Sequence, residues 1–228
     1  RLKKARNLEL LGENESSISI LKKMSNERKE RYDSLKLIGD IYRNYDKYNE
    51  SIKYYNEAVS RIDKINSEHW ELLYSRGIAY ERNNQWNKAE NDFLKVLELI
   101  PNQPDVLNYL GYSWIEQNSN LDQAKKFILK AISVRPSDPY IVDSLGWAYY
   151  NLKEYDKAVK ELERAVGLKP TDPIINDHLG DAYLKMDRKL EALYQWKKAI
   201  QFKPENDLEK KIEEKIKKYN KNNQLDFL

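Results

Sequence analysis

The 228-residue chain has no cysteine, two histidines, seven glycines and seven prolines. The missing cysteines exclude disulfides, thiolate nucleophiles and cysteine zinc sites, and there is no run of about 18 apolar residues to span a membrane. Forty basic and 37 acidic residues leave a net charge of +3, and the lysines alternate with acids instead of forming the basic stripe that nucleic-acid binding requires. Scarce glycine and proline disfavour turn-rich all-β folds. A hydrophobic content of 40%, with seventeen tyrosines, exceeds that of a disordered chain.

Residues 1–31 read as a degenerate or truncated helix pair, in which Ala5, Leu8, Ser17, Leu21 and Met24 fall on the marker positions of the units that follow. The next stretch is periodic. Gly39, Gly77, Gly111, Gly146 and Gly180 are spaced by 38, 34, 35 and 34 residues. An aromatic stands three residues after each: Tyr42, Tyr80, Trp114, Tyr149 and Tyr183. A small residue follows further on (Ser51, Ala89, Ala124, Ala158, Ala192), then a large one four later (Tyr55, Phe93, Ile128, Leu162, Trp196). Pro101, Pro136, Pro170 and Pro204 close units, and Pro104, Pro139 and Pro173 open them, as suits a residue tolerated in the first turn of a helix and excluded from its interior. Asp138 and Asp172 read as N-caps. Each unit is therefore two helices, an A helix with glycine at mid-length and a B helix with a small-large-small pattern.

Two units depart from the period. The first full unit has four surplus residues near Asp63–Asn66, about one helical turn, which predicts a longer B helix. The third has one extra residue, placed in the turn at Asn118–Asn120. After Pro204, Leu208, Ile212, Ile216 and Tyr219 form one stripe of a capping helix, with lysines and glutamates up to Lys215 on a solvated face. Asn220–Leu228 is polar, and Leu225, Phe227 and Leu228 in it are able to dock.

The motif Leu145-Gly146-Trp147-Ala148-Tyr149, with Ala158, Leu162, Ala165 and Pro170, resembles the tetratricopeptide repeat family, and Leu179-Gly180-Asp181-Ala182-Tyr183 with Ala192, Trp196, Ala199 and Pro204 is similar to it. The resemblance implies an all-α fold: a right-handed superhelical solenoid of antiparallel helix pairs with a C-terminal capping helix. The expected organisation is a partial repeat at 1–31, five repeats at 32–204, and a capping helix and tail at 205–228. More repeats are expected upstream. Residues 105–204 are similar to the C-terminal repeats of proteobacterial cell-envelope members of the family, which implies the periplasm or cell envelope, with the cytoplasm as the alternative.

No GxSxG, GxxxxGK[ST] or GxGxxG occurs. Asp177, His178 and Asp181 are the nearest approach to a ligand cluster. The two carboxylates are i,i+4 and repel unless a cation or basic partner sits between them; the bland reading is a solvated or partner-facing pair. His69, beside Trp70, reads as structural. No catalysis, cofactor or metal is expected.

The family resemblance implies a concave partner-binding groove lined by A helices. Carried over by position, it places Tyr74, Tyr112, Tyr140, Asp143, Trp147, Tyr150, Asp177 and Asp181 in that groove, with Tyr109 beside them. The full groove set holds nine acids and four bases. The lysines, arginines and asparagines with which some members clamp a C-terminal carboxylate are mostly absent here. The expected function is a protein-binding scaffold or adaptor for a protein or peptide with basic and apolar groups. Self-association, or a non-catalytic helper domain of a larger enzyme, is the alternative.

Overall fold

The computed structural model describes residues 1–27 and 32–223. Among these residues there are thirteen α-helices and no strand. The chain divides into two compact units, Arg1–Val106 and Leu107–Leu228.

The first unit contains α1 (Leu2–Leu10), α2 (Asn14–Glu27), α3 (Asp33–Asn44), α4 (Tyr48–Ser60), α5 (Trp70–Arg82) and α6 (Trp86–Leu99). Helices adjacent in sequence are adjacent in space from α1 to α6. The weak N-terminal pair is folded in: Ala5 and Leu21 are fully buried with Ile38 and Ile41, and Ser17 Oγ donates to the Ala5 carbonyl at 2.8 Å. Between α5 and α6, Arg76 makes a two-pronged pair with Asp92, at 2.8 and 2.7 Å.

The four surplus residues of the first full repeat do not lengthen its B helix. Helix α4 has thirteen residues, one fewer than α6, and the surplus forms a linker that ends in a single 3-10 turn at Ser67–His69. Arg61 ends the helix, and its guanidinium donates to the Ser25 carbonyl at 2.9 Å and to Glu57 at 2.6 Å. Asn66 then restarts helical structure: its side chain accepts from Glu68 N at 2.9 Å, and its own N–H donates to His69 Nδ1 at 3.1 Å. This gives His69 a capping role.

The second unit contains α8 (Leu121–Val134), α9 (Pro139–Asn151), α10 (Tyr155–Leu168), α11 (Pro173–Lys185), α12 (Lys189–Gln201) and α13 (Asn206–Asn223), together with most of α7 (Pro104–Glu116). Asp138 Oδ1 accepts from Tyr140 N at 3.0 Å and Ile141 N at 3.3 Å. Asp172 repeats this toward Ile174 and Ile175, at 3.1 and 3.3 Å. Each cap is worth about 1 kcal/mol.

The marker glycines are the contact points of the helix pairs. A Cβ added to Gly146 would lie 2.5 Å from Leu162 Cγ, and one on Gly180 2.5 Å from Trp196 Cδ1. No side chain fits there, so the large B-helix residue packs directly on the A-helix backbone. The A–B turns repeat as closely. Asp46, Asn84, Lys153 and Asp187 each sit at the middle of a three-residue turn with φ between 56° and 63°. The marker aromatic's carbonyl closes the turn, as in Lys47 N to Tyr42 O and Glu154 N to Tyr149 O, both 2.9 Å. The extra residue of the third repeat does lie in its turn, between Glu116 and Leu121, where both Asn118 and Asn120 have positive φ.

The predicted cap stripe packs as a core face. Ile212 and Tyr219 are buried in one cluster with Leu162, Leu179 and Trp196, and Leu208 and Ile216 pack on it. Burial of a side chain such as Ile212 is worth roughly 1.5–3 kcal/mol. Leu225, Phe227 and Leu228 lie outside the described residues.

Candidate functional site

Tyr140, Asp143, Trp147 and Tyr150 recur at helical spacing along α9, and α11, which contacts α9, presents Ile174, Asp177 and Asp181. The side chains meet in an aromatic stack. The Trp147 ring lies parallel to Tyr150 at 4.6 Å and to His178 at 4.1 Å between centroids, while Tyr150 meets Tyr155 edge-on at 5.7 Å. Trp147 Nε1 donates to Glu116 Oε1 at 2.7 Å. Trp147 thus ties α9 to both α7 and α11, and it stays half-buried.

The stacked His178 is also half of an ion pair that the sequence reading missed. His178 Nδ1 is 3.0 and 3.1 Å from the two carboxylate oxygens of Asp143, and both residues are buried. Burial alone opposes a charged imidazole, but the Asp143 charge and hydrogen bond outweigh it, with Asp177 and Asp181 adding, and the net shift is upward. The Asp143 carboxylate is therefore engaged inside the fold. The one sequence signal for this partner is the 35-residue separation, one repeat plus one residue, which places His178 beside the fourth repeat's fifth position.

The Asp177–Asp181 pair is not solvated. Lys215 of α13 donates to both Asp177 oxygens at 2.8 and 2.9 Å and to Asp181 Oδ2 at 2.8 Å. Trp196 Nε1 donates to the other Asp181 oxygen at 3.1 Å. Lys215, expected on the solvated back of the cap, is the cation the pair requires. Burial and the neighbouring Asp181 charge raise the Asp177 carboxyl above its usual range, against the pull of Lys215. A cavity of about 240 Å³ adjoins this triad, with Tyr150, Leu184, Trp196 and Tyr219 among its walls.

Tyr140 stands apart from the stack and is 51% exposed; the Lys169 ammonium lies 4.3 Å over its ring and also bonds its hydroxyl. Ile174, one repeat on, is 47% exposed. Tyr109 and Tyr112 are half-buried on α7. Tyr74 belongs to the first unit, where its ring lies 6.1 Å from Trp70 and 6.0 Å from Phe93. Among the described residues no group of three His, Cys, Asp or Glu is placed to hold a metal, and no helix is long and apolar enough to cross a membrane.

Comparison with known proteins agrees with this architecture. Tetratricopeptide-repeat family models match residues 32–64, 70–103 and 146–187. A search of curated proteins found no match. Among solved structures, the C-terminal part of a TPR repeat-containing protein from Cytophaga hutchinsonii is 20% identical, with a TM-score of 0.65 over 89% of this chain and 79% of that one. The APC/C hetero-tetramer Cut9–Hcn1 gives a TM-score of 0.79 at 16% identity, over 96% of this chain and 42% of the other. YrrB, described as a TPR protein with an unusual peptide-binding site, gives 0.60 at 18% identity, over 82% and 94%. These similarities show a shared fold. Paired helices in register, glycine contacts on that register and three family matches make this chain a tetratricopeptide-repeat protein, an all-α solenoid whose general role is that of a protein-interaction scaffold.

Proposed function

We propose that the A-helix face of α9 and α11 binds a peptide or protein segment carrying apolar and basic groups, and that the protein acts as a non-catalytic adaptor. The observation that carries this reading is the aromatic platform. Trp147 and Tyr150 are half-buried, held in one orientation by Glu116 and His178, and flanked by the exposed Tyr140 and Ile174. Fixed aromatic side chains at a surface lose little entropy on binding and are over-represented among the residues that dominate interfaces. A basic group of the partner meets the exposed Glu116 carboxylate.

In this reading eight of the nine groove residues divide into two roles. Tyr140, Trp147 and Tyr150 touch the partner, and Tyr109 and Tyr112 continue the face along α7. Asp143, through His178, and Asp177 and Asp181, through Lys215, hold the platform in place. Tyr74 occupies the corresponding place in its own repeat of the first unit. Affinity for a short peptide is expected in the micromolar range, about −8 kcal/mol.

The test is selection of a displayed random-peptide library on the whole chain, followed by binding of an enriched peptide to Tyr140→Ala/Ile174→Ala. Both positions are exposed, so this variant keeps its fold. Enrichment of peptides that combine Lys or Arg with apolar residues, and at least tenfold weaker binding to the variant, is expected. Enrichment of acidic peptides, or equal binding by the variant, contradicts the reading.

A further inference from the structure

The five full repeats permit a comparison within one chain. In every B helix, the residues two before and two after the small marker residue are exposed. The earlier four repeats place Asn49, Asn87, Asp122 and Asp156 at the first position, and Lys53, Asn91, Lys126 and Lys160 at the second. The fifth repeat instead places Leu190 and Tyr194 there, and they are 72% and 57% exposed. They are one turn apart on α12 and form an apolar pair at two positions that are polar in all four preceding repeats. Scattered single apolar residues at a surface are ordinary. A coordinated replacement at two adjacent positions, confined to one repeat, points to a contact.

The charges around the pair indicate what makes it. Asp187 is exposed at the N-terminal side, in the turn that leads into α12, where it pairs with Lys189 at 3.2 Å, and Lys197 and Lys198 lie at the C-terminal side, with Lys198 5.2 Å over the Tyr194 ring. The stripe Asp187, Leu190, Tyr194, Lys197 is self-complementary under a two-fold axis beside Ala192: reversing it sets Leu190 against Tyr194 and Asp187 against Lys197. An isologous contact requires one patch to complement itself in this way.

The geometry points to a second copy of this chain as the occupant, with α12 packed antiparallel on α12 of the other copy. The seam is one helix wide, below the area of a stable interface, so the dimer is weak and forms with rising concentration. This surface is separate from the α9–α11 platform, and either proposal can fail without the other.

Sedimentation velocity of the whole chain, from low to high micromolar concentration, is the test. The weight-average mass should rise from the 27.2 kDa monomer toward twice that value. Leu190→Asp/Tyr194→Lys installs the residues of the fourth repeat and should remain monomeric throughout, with unchanged circular dichroism. Asp187→Lys, the residue that Lys153 already supplies at the same turn position, should also abolish dimerisation, and Asp187→Lys/Lys197→Asp should restore it. A native chain that stays monomeric at every concentration overturns the proposal, as does a Leu190→Asp/Tyr194→Lys variant that associates normally. Failure of the charge exchange to restore association overturns the antiparallel arrangement on which the proposal stands.

Discussion

Lys215, near the middle of the C-terminal helix, donates to both carboxylate oxygens of Asp177, at 2.8 and 2.9 Å. With Asp181 at 2.8 Å from the same ammonium, one cation from α13 bridges two acids on α11. The cap is thus held by charge as well as by the apolar stripe. Lys215→Met leaves two carboxylates one helical turn apart, of which Asp177 is buried. Removing one partner of a fully buried pair costs roughly 3–5 kcal/mol. The Lys215 side chain is 30% exposed, so about 2 kcal/mol is expected after allowance for water. Urea denaturation measures it, and Asp177→Asn in the Lys215→Met background should recover part of the loss. No change in stability would falsify the charge-lock account.

The His178–Asp143 pair makes stability depend on pH. The folded imidazole pKa is raised above its ordinary 6.5, so folding favours the protonated ring. Its contribution is complete below that ordinary value and is lost as pH rises through the folded value. Native protein should therefore lose stability on going from mildly acidic to alkaline buffer, and Asp143→Asn should show a smaller change over the same range. An NMR titration of the His178 ring provides an independent readout. A downward-shifted imidazole contradicts the assignment.

The glycines give a paired prediction with opposite signs. Gly146→Ala forces a methyl to 2.5 Å from Leu162, and overpacking of this kind costs about 1–3 kcal/mol. Gly167, inside α10, has nothing within 4 Å of an added Cβ. Gly167→Ala should stabilise by about 0.5–1 kcal/mol through helix propensity and a less flexible unfolded chain. Thermal or urea unfolding of the two variants decides the matter.

Asn66 should matter more than its exposed position suggests. It caps the 3-10 turn that absorbs the surplus residues ahead of α5. Asn66→Ala should cost about 1 kcal/mol, and hydrogen exchange should accelerate at Glu68, whose amide loses its acceptor.

Local chemistry determined much of this protein. The glycine–aromatic–small–large period is helical in itself, because each marker states which face a residue must bury, and Pro139 and Pro173 with their capping aspartates mark helix starts without tertiary help. The extra residue at Asn118–Asn120 was legible for the same reason: a turn accepts one more left-handed asparagine, and a packed helix pair does not. The four residues at Asp63–Asn66 were misread, since a turn's worth of chain fits a helix as well as a linker, and contacts distant in sequence, such as that of Arg61 with the Ser25 carbonyl, are not visible in the local pattern. Tertiary structure alone decided the charges of the candidate site. His178 and Asp143 are 35 residues apart, and Lys215 and Asp177 are 38. At those distances in sequence, a buried ion pair and a solvated charge are spelled identically. The scarcity of glycine and proline excluded turn-rich folds, but which acids remain open to a partner depends on which lysine or histidine the stacking of helices delivers to them.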